Sequence, residues 1–199
     1  MRALVIIVAL ACAACSGCVS QVAPPAATPA SVGFALVPGL VARTLYLADL
    51  GCTGVDLGSG MVATAKHCVA GLELGAEAGG GTLLRVFEGV DLALLARPDL
   101  VQLGAVCVRD PVLGEPVYSV GYPKLLGSGV QELTVTDGIV SSVTPDVTGE
   151  VRTTAPVYFG NSGGGVWSAT DGCLVGIAVS ITRNPAESYM VALAGLLGA

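Results

Sequence analysis

The stretch Phe159-Gly160-Asn161-Ser162-Gly163-Gly164-Gly165, FGNSGGG, decides how the rest of the chain is read. Gly, Asn and Ser favour turns for backbone reasons alone. Because 28 of the 199 residues are glycine, the run can be an ordinary turn. Its centre also fits G-x-S-x-G, a strained strand-to-helix turn that lifts a nucleophilic serine above an α/β sheet. The readings demand different folds. A free serine hydroxyl is hardly ionised at neutral pH, so a nucleophilic Ser162 needs a base elsewhere in the chain.

The one histidine is His67, in GSGMVATAKHCVAG. Its unperturbed pKa near 6.5 suits a proton shuttle. The apolar run MVATA ends just before it, which puts the imidazole at the end of a strand. A third group must orient the imidazole and balance its charge. Asp91, in GVDLALLA, is flanked by Val90 and Leu92. A carboxylate there is costly to bury unpaired, so it either ends a strand in solvent or has a dedicated partner. Asp99, Asp110, Asp137 and Asp146 lie in turn-like sequence and are weaker candidates. The α/β-hydrolase order runs Ser, acid, His, and no histidine follows Ser162. The Asp-His-Ser order of subtilisin is open through Asp49 or Asp56, but it needs an α/β texture. His67-Asp91-Ser162 is the order of chymotrypsin.

The texture is all-β. From Arg43 onward, short runs rich in Val, Leu, Ile, Thr and Tyr alternate with Gly, Pro, Asp and Ser. They are TLYLADL, MVATA, TLLRVF, LALLA, PVYSVGY, ELTVTDGIVSSV, EVRTTAPV, GGVW and CLVGIAVSI. Such punctuation suits a sandwich or barrels. AESYMVALAGLLGA closes the chain with a strand and a short helix. No amphipathic helix precedes it.

These motifs together resemble the trypsin/chymotrypsin-like serine proteases, most closely the compact bacterial exported members. TAKHC is similar to the family's T-A-A-H-C, DLALL to D-I-A-L-L, and GNSGG matches G-[DN]-S-G-G. GYP at Gly121-Tyr122-Pro123, TDGIVSSV and CLVGIAVS resemble segments of the second barrel. The resemblance runs from about Thr44 to the C-terminus. It implies a double-barrel fold of two six-stranded-type antiparallel barrels, about 43–105 and 106–199, with a short C-terminal helix. It implies Ser162 as nucleophile, His67 as base and Asp91 as its partner. The Gly160 and Ser162 N–H groups would form the oxyanion hole. The primary pocket would be built from Pro156, Val179, Ser180 and Ile181. With no carboxylate at Pro156, the resemblance implies a taste for small or apolar side chains. It pairs Cys52 with Cys68, and leaves Cys107 and Cys173 as the remaining pair. The implied chemistry needs no cofactor and no metal, and its partner is a protein or peptide substrate. Lys66 departs from the family's small residue, and Gly165 stands where Pro is frequent. No activation-type N-terminal motif is evident. A membrane-tethered peptide-binding module with little turnover is the alternative, and an esterase a third reading.

Residues 1–18 read as an export signal: Arg2 supplies one positive charge and Ala3 to Ala14 are apolar. Cys15 and Cys18 follow small residues, like the acylated cysteine of bacterial lipoproteins, and are the lipidation candidates. Residues 19–42 read as a Pro/Ala-rich linker, and 43–199 as the protease-like domain. An even count of four cysteines beyond the leader suits disulfides in an exported chain. The expected location is periplasmic, secreted or lipid-anchored at a bacterial envelope. A net charge of −6 without a basic patch argues against nucleic acid.

Overall fold

A computed structural model describes residues 30–100, 103–124, 131–146, 148–181 and 187–197. Residues 1–29, with the expected export signal and the lipidation candidates Cys15 and Cys18, lie outside the described residues. The described strands form two antiparallel six-stranded sheets. The first sheet holds β1 (Thr44–Leu47), β2 (Cys52–Gly58), β3 (Met61–Thr64), β4 (Glu77–Ala78), β5 (Gly81–Val86) and β6 (Ala93–Ala96). Its order is β1-β2-β3-β6-β5-β4, and it stays open as a half-barrel. The second holds β7 (Pro116–Gly121), β8 (Thr134–Ser142), β9 (Glu150–Thr153), β10 (Gly165–Ser168), β11 (Leu174–Ile181) and β12 (Ser188–Ala192). It closes in the order β10-β11-β12-β9-β8-β7. The short C-terminal helix is α2, Ala194–Leu197. This is the double-barrel fold that the sequence motifs imply.

Side chains alternate across a strand, so an apolar run with no polar face must be buried on both faces. In β6, Ala93 and Leu95 enter the core of the first sheet, while Leu94 enters a second core between the sheets. In β11, Val175 and Ala178 fill the closed barrel, whereas Leu174, Ile177 and Val179 face the inter-sheet core. That shared core also holds Val55, Ala63, Leu92, Val120 and Trp167. It fixes one sheet on the other.

Two features differ from the sequence reading. Residues 30–42, the end of the expected linker, form the helix α1, Ala30–Ala42, despite Pro38 inside it. Its sequence, ASVGFALVPGLVA, has no polar face, so no amphipathic period marks it. Leu40 is buried, and Thr44 Oγ1 donates to the Leu40 carbonyl at 2.9 Å, closing the helix end. The second is β2. Gly54, Asp56 and Gly58 look like turn residues, yet every residue of β2 is buried. Asp56 survives there because its Oδ1 accepts the Gly58 N–H at 2.7 Å.

Candidate active site

Strand pairing alone brings two of the candidate residues together. β3 pairs with β6 with Thr64 opposite Ala93. His67 follows β3 in a single 3-10 turn, Lys66–Val69, and Asp91 lies two residues ahead of β6. Both therefore emerge at the same end of adjacent strands. Val69 and Leu92, beside them in sequence, are buried and pin the two loops. Asp91 accepts twice from one residue: Oδ1 from the His67 backbone N–H at 2.8 Å, and Oδ2 from Nδ1 at 2.6 Å. The second bond keeps the Nδ1 proton toward Asp91 and leaves Nε2 as the free base. The Asp91 hydrogen bond holds the His67 pKa above its ordinary value against partial burial, and the Asp91 and Glu150 charges add to it. Partial burial would raise Asp91, but the bonds from His67 outweigh it and hold the carboxyl low.

The Cys52–Cys68 disulfide ties the His67 turn to the start of β2. Cys107–Cys173 also forms, bridging the inter-sheet connection to the second barrel. Cys52, His67 and Cys68 form a cluster of metal-ligand type, but both sulfurs are consumed in the disulfide and offer no thiolate. Lys66 turns away from the imidazole: its ammonium donates to the Phe87 carbonyl at 3.2 Å and lies 3.8 Å from Glu88.

Ser162 comes from the second barrel, in the turn before β10. It shares with His67 and Asp91 a cavity of about 430 Å³, whose remaining lining is Val157, Tyr158, Phe159 and Val179. The Ser162 hydroxyl donates to the Val179 carbonyl at 3.4 Å, and no described hydrogen bond joins it to His67. Of the expected pocket residues, Val179 lines this cavity. Pro156 does not, and its carbonyl accepts from Thr136 Oγ1 at 2.7 Å. The side chains of Ser180 and Ile181 lie outside the described residues.

The backbone of the serine turn is held carbonyl by carbonyl. Phe159 O accepts from Lys124 N at 2.6 Å, Asn161 O from Gly164 N at 2.8 Å, and Ser162 O from Thr53 N at 2.9 Å. Gly160 O accepts from Thr53 Oγ1 at 2.7 Å. In a trans peptide the C=O and the following N–H point in opposite directions. Anchoring Phe159 O and Asn161 O therefore turns the Gly160 and Ser162 N–H groups the other way, and no described backbone acceptor engages either. Gly160 takes φ +96°, and a Cβ there would lie 2.5 Å from Tyr122 O. Only glycine fits.

Sequence reading missed Thr53 and Glu150. Thr53 is fully buried in β2, a strand not recognised from its composition. Glu150 opens the run EVRTTAPV, which reads only as a strand, and the barrel brings it to the wall of a second cavity. That cavity, about 690 Å³, adjoins His67 and Asp91, with Val69, Leu72 and Val90 among its walls.

An all-β double barrel with this cleft is the chymotrypsin type of fold. The model of the trypsin-like peptidase domain family matches residues 52–177, more than half of the chain, and the chain belongs to that family. No curated protein matches the sequence. Among solved structures, the Rv3671c protease from M. tuberculosis in its active form is similar with a TM-score of 0.63 and 23% identity, over 86% of this chain and 85% of that one. Its inactive form gives 0.64 and 24%, over 86% and 93%. The serine endoprotease from Yersinia pestis gives 0.62 and 23%, over 81% of this chain and 62% of that one. At these identities the likeness is one of fold.

Proposed function

We propose that this protein is an exported serine endopeptidase acting through His67, Asp91 and Ser162. The observation that supports it most is the doubly bound His67–Asp91 pair, opening on the cavity that Ser162 shares. Ser162 Oγ attacks the scissile carbonyl carbon while His67 Nε2 takes its proton. The oxyanion that forms is met by the Gly160 and Ser162 N–H groups. The intermediate collapses, the amine leaves with the proton from Nε2, and water releases the acyl group by the same steps in turn. Asp91 holds the imidazole in the needed tautomer throughout. The hydroxyl must first rotate from Val179 O toward His67, an adjustment of the kind that substrate binding brings about. Losing one oxyanion donor removes about 3–4 kcal/mol of transition-state stabilisation.

The primary cavity is walled by Val157 and Val179, with Tyr158 and Phe159 exposed at its edge. Its one carboxylate among the described residues, Asp91, is committed to His67. These walls favour small or apolar side chains, and dominant cleavage after Arg or Lys would sink that preference. The two disulfides suit an oxidising compartment. Lipid attachment at Cys15 or Cys18 is tested by the mass of the mature N-terminus from membranes.

A fluorophosphonate should label the folded protein at Ser162, and Ser162→Ala should lose both the label and the digestion of a protein substrate. The Ser162–Val179 bond favours one other reading, a peptide-binding module with little turnover. Peptide binding without any labelling would select it.

A further inference from the structure

We infer that the Thr53 side chain is a positioning residue that sets the oxyanion-forming turn from across the cleft, an inference that rests on the serine-protease reading above. Thr53 belongs to β2 in the first sheet, yet its described side-chain hydrogen bonds both go to the second barrel. Its Oγ1 donates to Gly160 O at 2.7 Å and accepts from Tyr122 N at 3.0 Å. The direction of both bonds is fixed. Tyr122 N can only donate, so the hydroxyl proton is left for Gly160 O. The residue is fully buried, so no solvent competes for either bond.

The two contacts hold the two peptides that flank Gly160, and so the angles that aim its N–H group. Fixing Gly160 O orients the peptide that follows Gly160. Holding Tyr122 fixes the segment whose Lys124 N–H anchors Phe159 O, and so orients the peptide that precedes it. Gln131 Nε2 adds a bond to Tyr122 O at 3.0 Å on the far side. Gly160 is a glycine with φ +96°, so its own backbone preference is weak and these anchors decide its orientation. The Thr53 main chain is itself steadied: its carbonyl accepts from Thr64 Oγ1 at 2.8 Å, and its neighbour Cys52 is bridged to Cys68 beside His67. One residue thus links the base-bearing turn to the oxyanion-bearing turn. Its backbone N–H to Ser162 O would survive any substitution of the side chain except proline, so the hydroxyl's share can be measured separately.

The test compares Thr53→Val, which keeps the shape and removes both hydroxyl bonds, with Thr53→Ser, which restores them. Fluorophosphonate labelling of the wild type is read first. Failure to label overturns the protease reading, and this inference with it. With labelling present, Thr53→Val should lower kcat about 10- to 100-fold while KM changes little, because the hole acts on the transition state. Labelling should slow in parallel, and peptide affinity measured in a Ser162→Ala background should stay unchanged. Thr53→Ser should recover kcat to within about threefold. If Thr53→Val does not fold, Thr53→Ala carries the same comparison. A hydroxyl-free variant with lowered melting temperature but wild-type kcat makes Thr53 merely structural and overturns the inference. So does a Thr53→Ser variant as impaired as Thr53→Val.

Discussion

At the residue scale, two carboxylates of unequal influence act on the proton of His67. Asp91 acts through a direct hydrogen bond and its charge, Glu150 through charge alone. Glu150 is itself raised above its ordinary value by burial and by the Asp146 and Asp91 charges. The proposed mechanism needs His67 neutral, so activity should fall as pH drops through a histidine pKa above 6.5. Glu150→Gln removes one raising charge. Its acid limb of kcat/KM should move to lower pH, with the alkaline plateau unchanged. A limb that stays in place or moves upward contradicts this assignment. Asp91→Asn should instead collapse the plateau itself, by about 10⁴-fold in kcat, because the tautomer is lost. The pair also contributes to stability within a pH window. The raised His67 favours the fold below its unfolded value near 6.5 and loses that contribution as pH rises through the folded value. The depressed Asp91 favours it above 3.8 and loses the contribution as pH falls through the folded value.

At the element scale, β10 explains the glycine that replaces the family's frequent proline. Gly165 faces the ring of Trp167, and a Cβ there would stand 2.2 Å from the indole Nε1. Trp167 is 1% exposed and belongs to the core between the sheets, so it has nowhere to go. A proline would add its ring to that clash and take an amide out of a strand paired on both sides, with β7 and β11. Gly165→Ala should destabilise by about 3 kcal/mol through overpacking. A urea midpoint equal to that of the wild type, with an unchanged m-value, would refute this. Bulky Trp167 and absent side chain at Gly165 make one packing solution.

At the scale of the whole molecule, the connection between the sheets is stapled to the second barrel. Cys107 O accepts from Leu174 N at 2.8 Å, Arg109 N donates to Leu174 O at 3.2 Å, and the Cys107–Cys173 bridge closes beside them. Arg109 then binds Glu115 at 2.7 Å and Asp171 at 2.9 Å. Burial would raise Glu115, but the Arg109 hydrogen bond and the Val112 N–H hold it low. Its contribution is present above the unfolded pKa and fades as pH falls through the folded one. Replacing Cys107 and Cys173 by Ala frees a 66-residue separation and should cost about 4 kcal/mol on the chain-entropy account. Guanidinium unfolding of the double variant checks it, and an unchanged midpoint would count against that account.

The all-β class, the second barrel's strands and the candidate triad were legible in the amino-acid sequence. They were so because runs of β-forming residues between Gly, Pro, Asp and Ser, and a turn around a serine, are local patterns, and because one histidine leaves few chain orders. The sequence also carried the Cys52–Cys68 pairing through a 16-residue spacing shared with a family. The tertiary structure alone decided the rest. β2 is missing from the β-like runs because burial on both faces, not residue preference, makes it a strand. The helix α1 is hidden because it is apolar all round. Thr53 and Glu150 acquire neighbours only when the two sheets close on each other, since hydrogen bonds and charges act through space over a few ångströms. Thr53 and Gly160 are 107 residues apart in the chain and 2.7 Å apart in the fold.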